Sequence, residues 1–217
     1  MTTAPITSQK KFAGSGFWNR IANRYAKSPV ADQETYERKL KITRSHLKPH
    51  MDVMEFGCGT GSTALIHAPF VKHILALDFS EQMIRIAQDK ARDQGIENVT
   101  FMTNRIEDFD PPAHRYDAVL GMSILHLLPD QRRAIAKTYD MLKPGGYFFS
   151  STACLSGEMS WFRPIIAIGS ALRLLPKVAF FTVEELQSML QDAGFIIETS
   201  WKPGPRKGVF IVAKKPR

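Results

Sequence analysis

The sequence predicts an α/β fold: a doubly wound, mostly parallel seven-stranded sheet with an antiparallel C-terminal strand and helices on both faces. Three observations predict it. From residue 50 onward, short apolar runs alternate with helical patterns, as βαβ units do. The first run opens through a glycine-rich loop into a helix, and the second ends in an aspartate. The last two runs are joined by a loop too short for a helical crossover, so they read as an antiparallel pair at the edge of the sheet.

In order, residues 17–27 and 33–47 read as two helices parted by Ser28-Pro29, and Pro49 ends the second. Strands follow at 53–56, 73–77, 99–103, 118–122 and 147–151. Between them a short helix at 63–67 stops at Pro69. Ser80 caps a helix that Gly95 closes, and 129–142 forms another before Lys143-Pro144-Gly145-Gly146. Thr182 and Glu185 form a capping box for a helix ending at Gly194. Strands at 195–199 and 209–213 complete the seven. The division expected is an N-terminal helical arm or lid, 1–49, and a main domain, 50–217, with an insertion at 155–181.

At 217 residues, 44% hydrophobic and 23% charged, the chain can bury a core without staples. Cys58 and Cys154 lie far apart, with no CxxC and no histidine beside either, which argues against a disulfide framework and a cysteine zinc site. No metal is expected. Residues 1–11 have no apolar core of the kind a signal peptide carries. The most apolar stretch, 161–181, is broken by Arg163, Pro164, Arg173, Pro176 and Lys177, short of the ~20 apolar residues a bilayer span needs. A cytoplasmic protein is expected. The net charge of +8 sits on the ends: +7 within 1–50, +6 within 201–217 and −5 between them. Such ends are either plain solvated charge or a contact for a polyanion or anionic lipid.

Glu55-Phe56-Gly57-Cys58-Gly59-Thr60-Gly61-Ser62 is the sharpest motif. Glycines there allow a tight turn and close approach of a ligand to the peptide groups. Asp78, 21 residues after Gly57, stands where an acid accepts from a ribose hydroxyl pair. Together they describe an adenosine-type ligand. A nicotinamide dinucleotide is permitted by Gly57, Gly59 and Ser62, but Glu55 would repel its pyrophosphate and welcome an amino group.

These residues resemble the class I S-adenosylmethionine-dependent methyltransferases. The likeness covers about residues 50–213 and rests on VMEFGCGTGS at 53–62, LALDFSEQMIRIA at 75–87, YDAVLGMSILHLL at 116–128, LKPGG at 142–146 and FTVEELQSMLQDAGF at 181–195. It implies a Rossmann-like fold, S-adenosyl-L-methionine as methyl donor and S-adenosyl-L-homocysteine as product. By that resemblance Gly57, Cys58, Gly59 and Gly61 cradle the methionine part over Glu55, and Asp78 holds the ribose. Phe79 and Met83 pack on the adenine, Ile106 offers its backbone N–H to the adenine edge, and Tyr25 and Met122 line the donor. One departure stands out: Asn104-Arg105-Ile106 replaces the Gly-Asp-Ala of many relatives, and because Arg105 cannot accept a hydrogen bond, Glu107, Asp108 or a backbone carbonyl would have to substitute.

Methyl transfer from a sulfonium asks mainly for alignment and desolvation. His126, just past the fourth strand, is the candidate base if one is needed, with a structural hydrogen bond as its alternative role. Trp18 and Tyr25 share a helix face that either closes over the donor or packs in the core. The apolar insertion suits a hydrophobic acceptor, a peripheral membrane contact through 161–181, or packing on the sheet. The expected function is methylation of a small apolar acceptor, with nucleic acid not expected as partner. The alternatives are an RNA or protein methyltransferase using the basic ends, and a nonenzymatic S-adenosylmethionine-binding module.

Overall fold

A computed structural model describes residue 12 and residues 14–156, 163–172, 174–204 and 207–217. Of residues 1–15, expected as a loose arm, 1–11 and 13 lie outside the described residues, as does the start of the insertion, 157–162, and Ser15 already belongs to the first helix. The elements run α1 (Ser15–Lys27), α2 (Gln33–His46), β1 (Asp52–Phe56), α3 (Ser62–His67), β2 (His73–Asp78), α4 (Glu81–Asp93), β3 (Val99–Thr103) and β4 (Tyr116–Met122). Then come α5 (Gln131–Met141), β5 (Leu142–Thr152), α6 (Arg163–Ala171), α7 (Val183–Asp192), β6 (Ile196–Trp201) and β7 (Val209–Lys214), with 3₁₀ turns at Ala68–Phe70 and Leu125–Leu127.

The strands form one seven-stranded sheet in the order β3-β2-β1-β4-β5-β7-β6. β1 to β5 pair in parallel, and β7 runs antiparallel to both β5 and β6. The antiparallel pair lies at the sheet edge as expected, and within it β7 is the inner strand. Its sequence explains this: every residue of Val209–Ala213 is buried, whereas Ile196–Trp201 alternates exposed and half-buried. A strand apolar on both faces needs neighbours on both sides, and an alternating one tolerates the edge.

Side-chain alternation splits the core into two layers. Met54, Val119, Phe148 and Ile211 face α5 and α7 through Ile135, Leu186 and Leu190. Val53, Leu120, Phe149 and Phe210 face the other way, toward Leu65 of α3 and Ile84 and Ala87 of α4. Leu47, at the end of α2, is buried in the second layer, and α1 packs along α4. Helix starts are fixed by side chains that satisfy orphan N–H groups: Asp32 accepts from Thr35, Ser80 from Met83 and Asp130 from Arg133. Thr182 and Glu185 cap α7 reciprocally.

Candidate active site

β1 delivers its C-terminal end to a loop in which Gly57, Gly59 and Gly61 all adopt positive φ, at 67°, 53° and 76°. Two of them are also demanded by space. A Cβ on Gly57 would lie 2.4 Å from the Ile124 side chain, and one on Gly61 would lie 2.8 Å from Ala87 and Phe101. The loop is anchored by the Cys58 N–H on the Leu77 carbonyl at 2.9 Å and the Gly61 N–H on Cys58 at 3.0 Å. Cys58 is buried, which with the nearby Asp78 and Glu55 charges pushes its thiol pKa well up.

Two acids underlie this loop. Asp78 accepts the Gly59 N–H on one oxygen and the Ser80 N–H on the other, each at 2.9 Å, so it both closes the loop and starts α4. Burial raises its pKa against those backbone bonds. Each oxygen keeps a further lone pair for a ligand hydroxyl. Glu55 is 2% exposed, and its Oε2 has no hydrogen-bond partner. Burial, with the Asp78 charge adding to it, pushes its pKa up to about 8. A buried acceptor left empty in this way is the feature an ammonium group satisfies.

Tyr25 of α1 brings its ring 3.8 Å from where a Gly59 Cβ would stand, and burial and the Asp78 charge raise its pKa. Tyr36 of α2, which sequence reasoning missed, lies within electrostatic reach of Glu55, and burial raises its pKa. Asn19, also missed, accepts from the Ser80 hydroxyl at 2.6 Å and from the Gln82 N–H at 3.2 Å, tying α1 to the start of α4. Trp18 meets Phe17 edge-on at 5.2 Å.

On the adenine side, Met83 is 2% exposed and Phe79 half-buried. The Arg105 guanidinium stands 5.5 Å from the Phe79 ring and 5.4 Å from the ring of Phe12. The departure at Asn104-Arg105 thus places a flat cation beside Phe79, at the position where many relatives carry an aspartate. The Ile106 side chain is buried in the first core layer, and its carbonyl accepts from Lys137 at 3.2 Å.

Met122 ends β4, half-buried and paired with Ser151 of β5. After it Ser123 adopts φ 56°, and its N–H bonds the Ser151 carbonyl at 2.7 Å. Lys39 reaches from α2 to the Ser151 hydroxyl at 2.8 Å. His126 lies in the following 3₁₀ turn, with its Nδ1 buried and unpartnered, and burial pushes its pKa to about 4. Its carbonyl accepts the Ala179 N–H at 2.8 Å, pinning the end of the insertion here. Among the described residues no group of three or more His, Cys, Asp or Glu could hold a metal ion.

A parallel sheet that reverses its order at β1, with a glycine loop and two acids at that point, defines an adenosine-binding α/β domain. Residues 53–146 match the family model described as a methyltransferase domain. The chain is 28% identical over 109 residues to the uncharacterized methyltransferase YcgJ of Bacillus subtilis, covering 50% of this chain and 43% of that protein. It is 30% identical over 150 residues to the ubiquinone biosynthesis O-methyltransferase of Coxiella burnetii, covering 65% and 62%. It therefore spans less than two thirds of these relatives' lengths. The YcgJ crystal structure superposes with a TM-score of 0.71 at 17% identity, over 83% of this chain and 99% of that one. Over residues 53–146 the chain is thus similar to methyltransferase domains, and its fold is that of known methyltransferase structures.

Proposed function

We propose that this protein transfers the methyl group of S-adenosylmethionine to a small apolar acceptor. The observation that carries the reading is Glu55, a buried carboxylate with an empty oxygen beneath a loop of left-handed glycines. S-adenosylmethionine, when bound, supplies a methyl group already activated by its sulfonium. Glu55 takes the donor's amino group, and Asp78 receives the ribose hydroxyls. Phe79, Met83 and Arg105 flank the adenine, Arg105 by stacking its planar cation rather than by accepting a hydrogen bond. Tyr25, Tyr36 and Met122 close the methionine end and keep water out.

The acceptor side is framed by Met122, His126 and the stems of the insertion. Its apolar character, and the quinone-pathway name of the Coxiella relative, support an acceptor that is hydrophobic and attacked through oxygen. His126 is neutral at pH 7 and weakly basic, so it takes a proton only as the acceptor's hydroxyl loses it in the transition state. Its Nδ1 is free of the structural bond that would otherwise explain it.

Turnover with methyl-labelled donor and a panel of hydrophobic phenols tests the reading. Label transfer to at least one member is expected, with His126→Ala lowering kcat about 100-fold and the parent's kcat showing no imidazole limb between pH 6 and 8. Transfer only to RNA or protein would contradict the acceptor class. An unchanged kcat in His126→Ala would remove that residue from the chemistry.

A further inference from the structure

The insertion presents a helix that is left largely exposed among the described residues. α6, Arg163–Ala171, has no buried residue, although its sequence RPIIAIGSA is apolar nearly all round. A helix of that composition is normally covered by protein or lipid. Ile165 is 52% exposed, Ile168 62%, Leu172 64%, Leu174 59% and Leu175 40%. These are five of the nine exposed large hydrophobic side chains among the described residues, and they fall within eleven positions of the chain. The turn is built rather than loose. The Leu174 and Leu175 N–H groups both bond the Gly169 carbonyl, at 2.8 and 3.1 Å, and a Cβ on Gly169 would lie 2.6 Å from Leu175. An apolar patch of this kind marks an interaction surface.

The charges decide what covers it. Between Glu158 and Glu184 the sequence has no acid, and its charged residues are Arg163, Arg173 and Lys177. Arg163 holds the start of α6 with its guanidinium over Phe180 and a bond to Ser156, and Lys177 is exposed. Exposed aliphatic residues among cations, without a single anion, complement anionic phosphate headgroups over acyl chains. At nine residues α6 is too short to cross a bilayer, and no helix among the described residues is long and apolar enough to do so. The surface is also well placed. Its stems leave β5 at Ser156 and return at Phe181, bonded to each other, and Ala179 is tied to His126.

We infer that α6 and the turn through Leu175 are a docking surface for an anionic phospholipid bilayer. Docking lays the acceptor end of the sheet against the lipid, so that a hydrophobic acceptor reaches the site without crossing water. The inference rests on the proposed apolar acceptor for its purpose alone, and binding is measured with neither donor nor acceptor present.

The experiment is flotation of the full chain with phosphatidylcholine vesicles, with and without phosphatidylglycerol, at low and physiological salt. The chain is expected to float with the phosphatidylglycerol vesicles, less so at higher salt, and poorly with phosphatidylcholine alone. Ile168→Glu combined with Leu172→Glu is expected to weaken this binding by about tenfold or more, with the melting temperature of the parent retained. S-adenosylhomocysteine affinity, measured separately, reports on the donor site and leaves the flotation result standing whichever way it falls. No recovery with phosphatidylglycerol vesicles at low salt would overturn the inference, as would a double variant that floats like the parent. A dimer that the double variant breaks, found in place of vesicle binding, would assign the patch to a second copy of the chain and overturn it too.

Discussion

At the residue scale, Glu55 is protonated at neutral pH because its pKa is pushed to about 8, by burial first and then by Asp78. An ammonium at its Oε2 favours the ionised form, so donor binding must expel a proton. The sign follows: donor affinity rises with pH, by about tenfold per unit below pH 8, and levels off above it. Calorimetry with S-adenosylhomocysteine from pH 6 to 8.5 checks this, and Glu55→Gln is expected to flatten the slope. A slope unchanged in that variant would assign the proton elsewhere. Glu55, Asp78 and the glycines were legible in the sequence because one continuous loop and one strand end carry them. Tyr36 and Asn19 were not. Asn19 meets Ser80 across 61 residues of chain, and only the packing of α1 along α4 creates that contact.

At the element scale, the alternation of apolar runs and helical patterns revealed all seven strands, and the capping residues Ser80 and Thr182 marked two of the helix starts. What the pattern left open was the order within the last pair. Local spacing shows that β6 and β7 are antiparallel; only the two-faced burial of β7 shows which of them the sheet encloses. The end of β7 is locked by Lys215, 6% exposed, whose Nζ donates to the carbonyls of Tyr139 and Leu142 at 2.7 and 2.9 Å. A cation at the end of α5 also suits the carbonyl end of that helix. Replacing Lys215 by Met leaves those carbonyls short of a donor and is expected to lower unfolding stability by about 1–3 kcal/mol, with donor affinity unchanged. Urea denaturation of the variant beside the parent measures it, and an unaltered midpoint would contradict the structural role.

At the scale of the whole molecule, the proposed donor site is placed where the strand order turns back, β2 to one side of β1 and β4 to the other. The helices of one layer and the loops of the parallel strands converge there. The acidic middle of the chain supplies the two carboxylates, and the basic ends flank it. The measurement that tests this account most directly is calorimetric titration with S-adenosylhomocysteine and, separately, with NADH, on the parent and on Asp78→Ala. The account predicts that the parent binds S-adenosylhomocysteine and not NADH, and that Asp78→Ala loses at least tenfold in affinity, about 1.4 kcal/mol. Binding of NADH alone, or S-adenosylhomocysteine binding indifferent to Asp78, would contradict it.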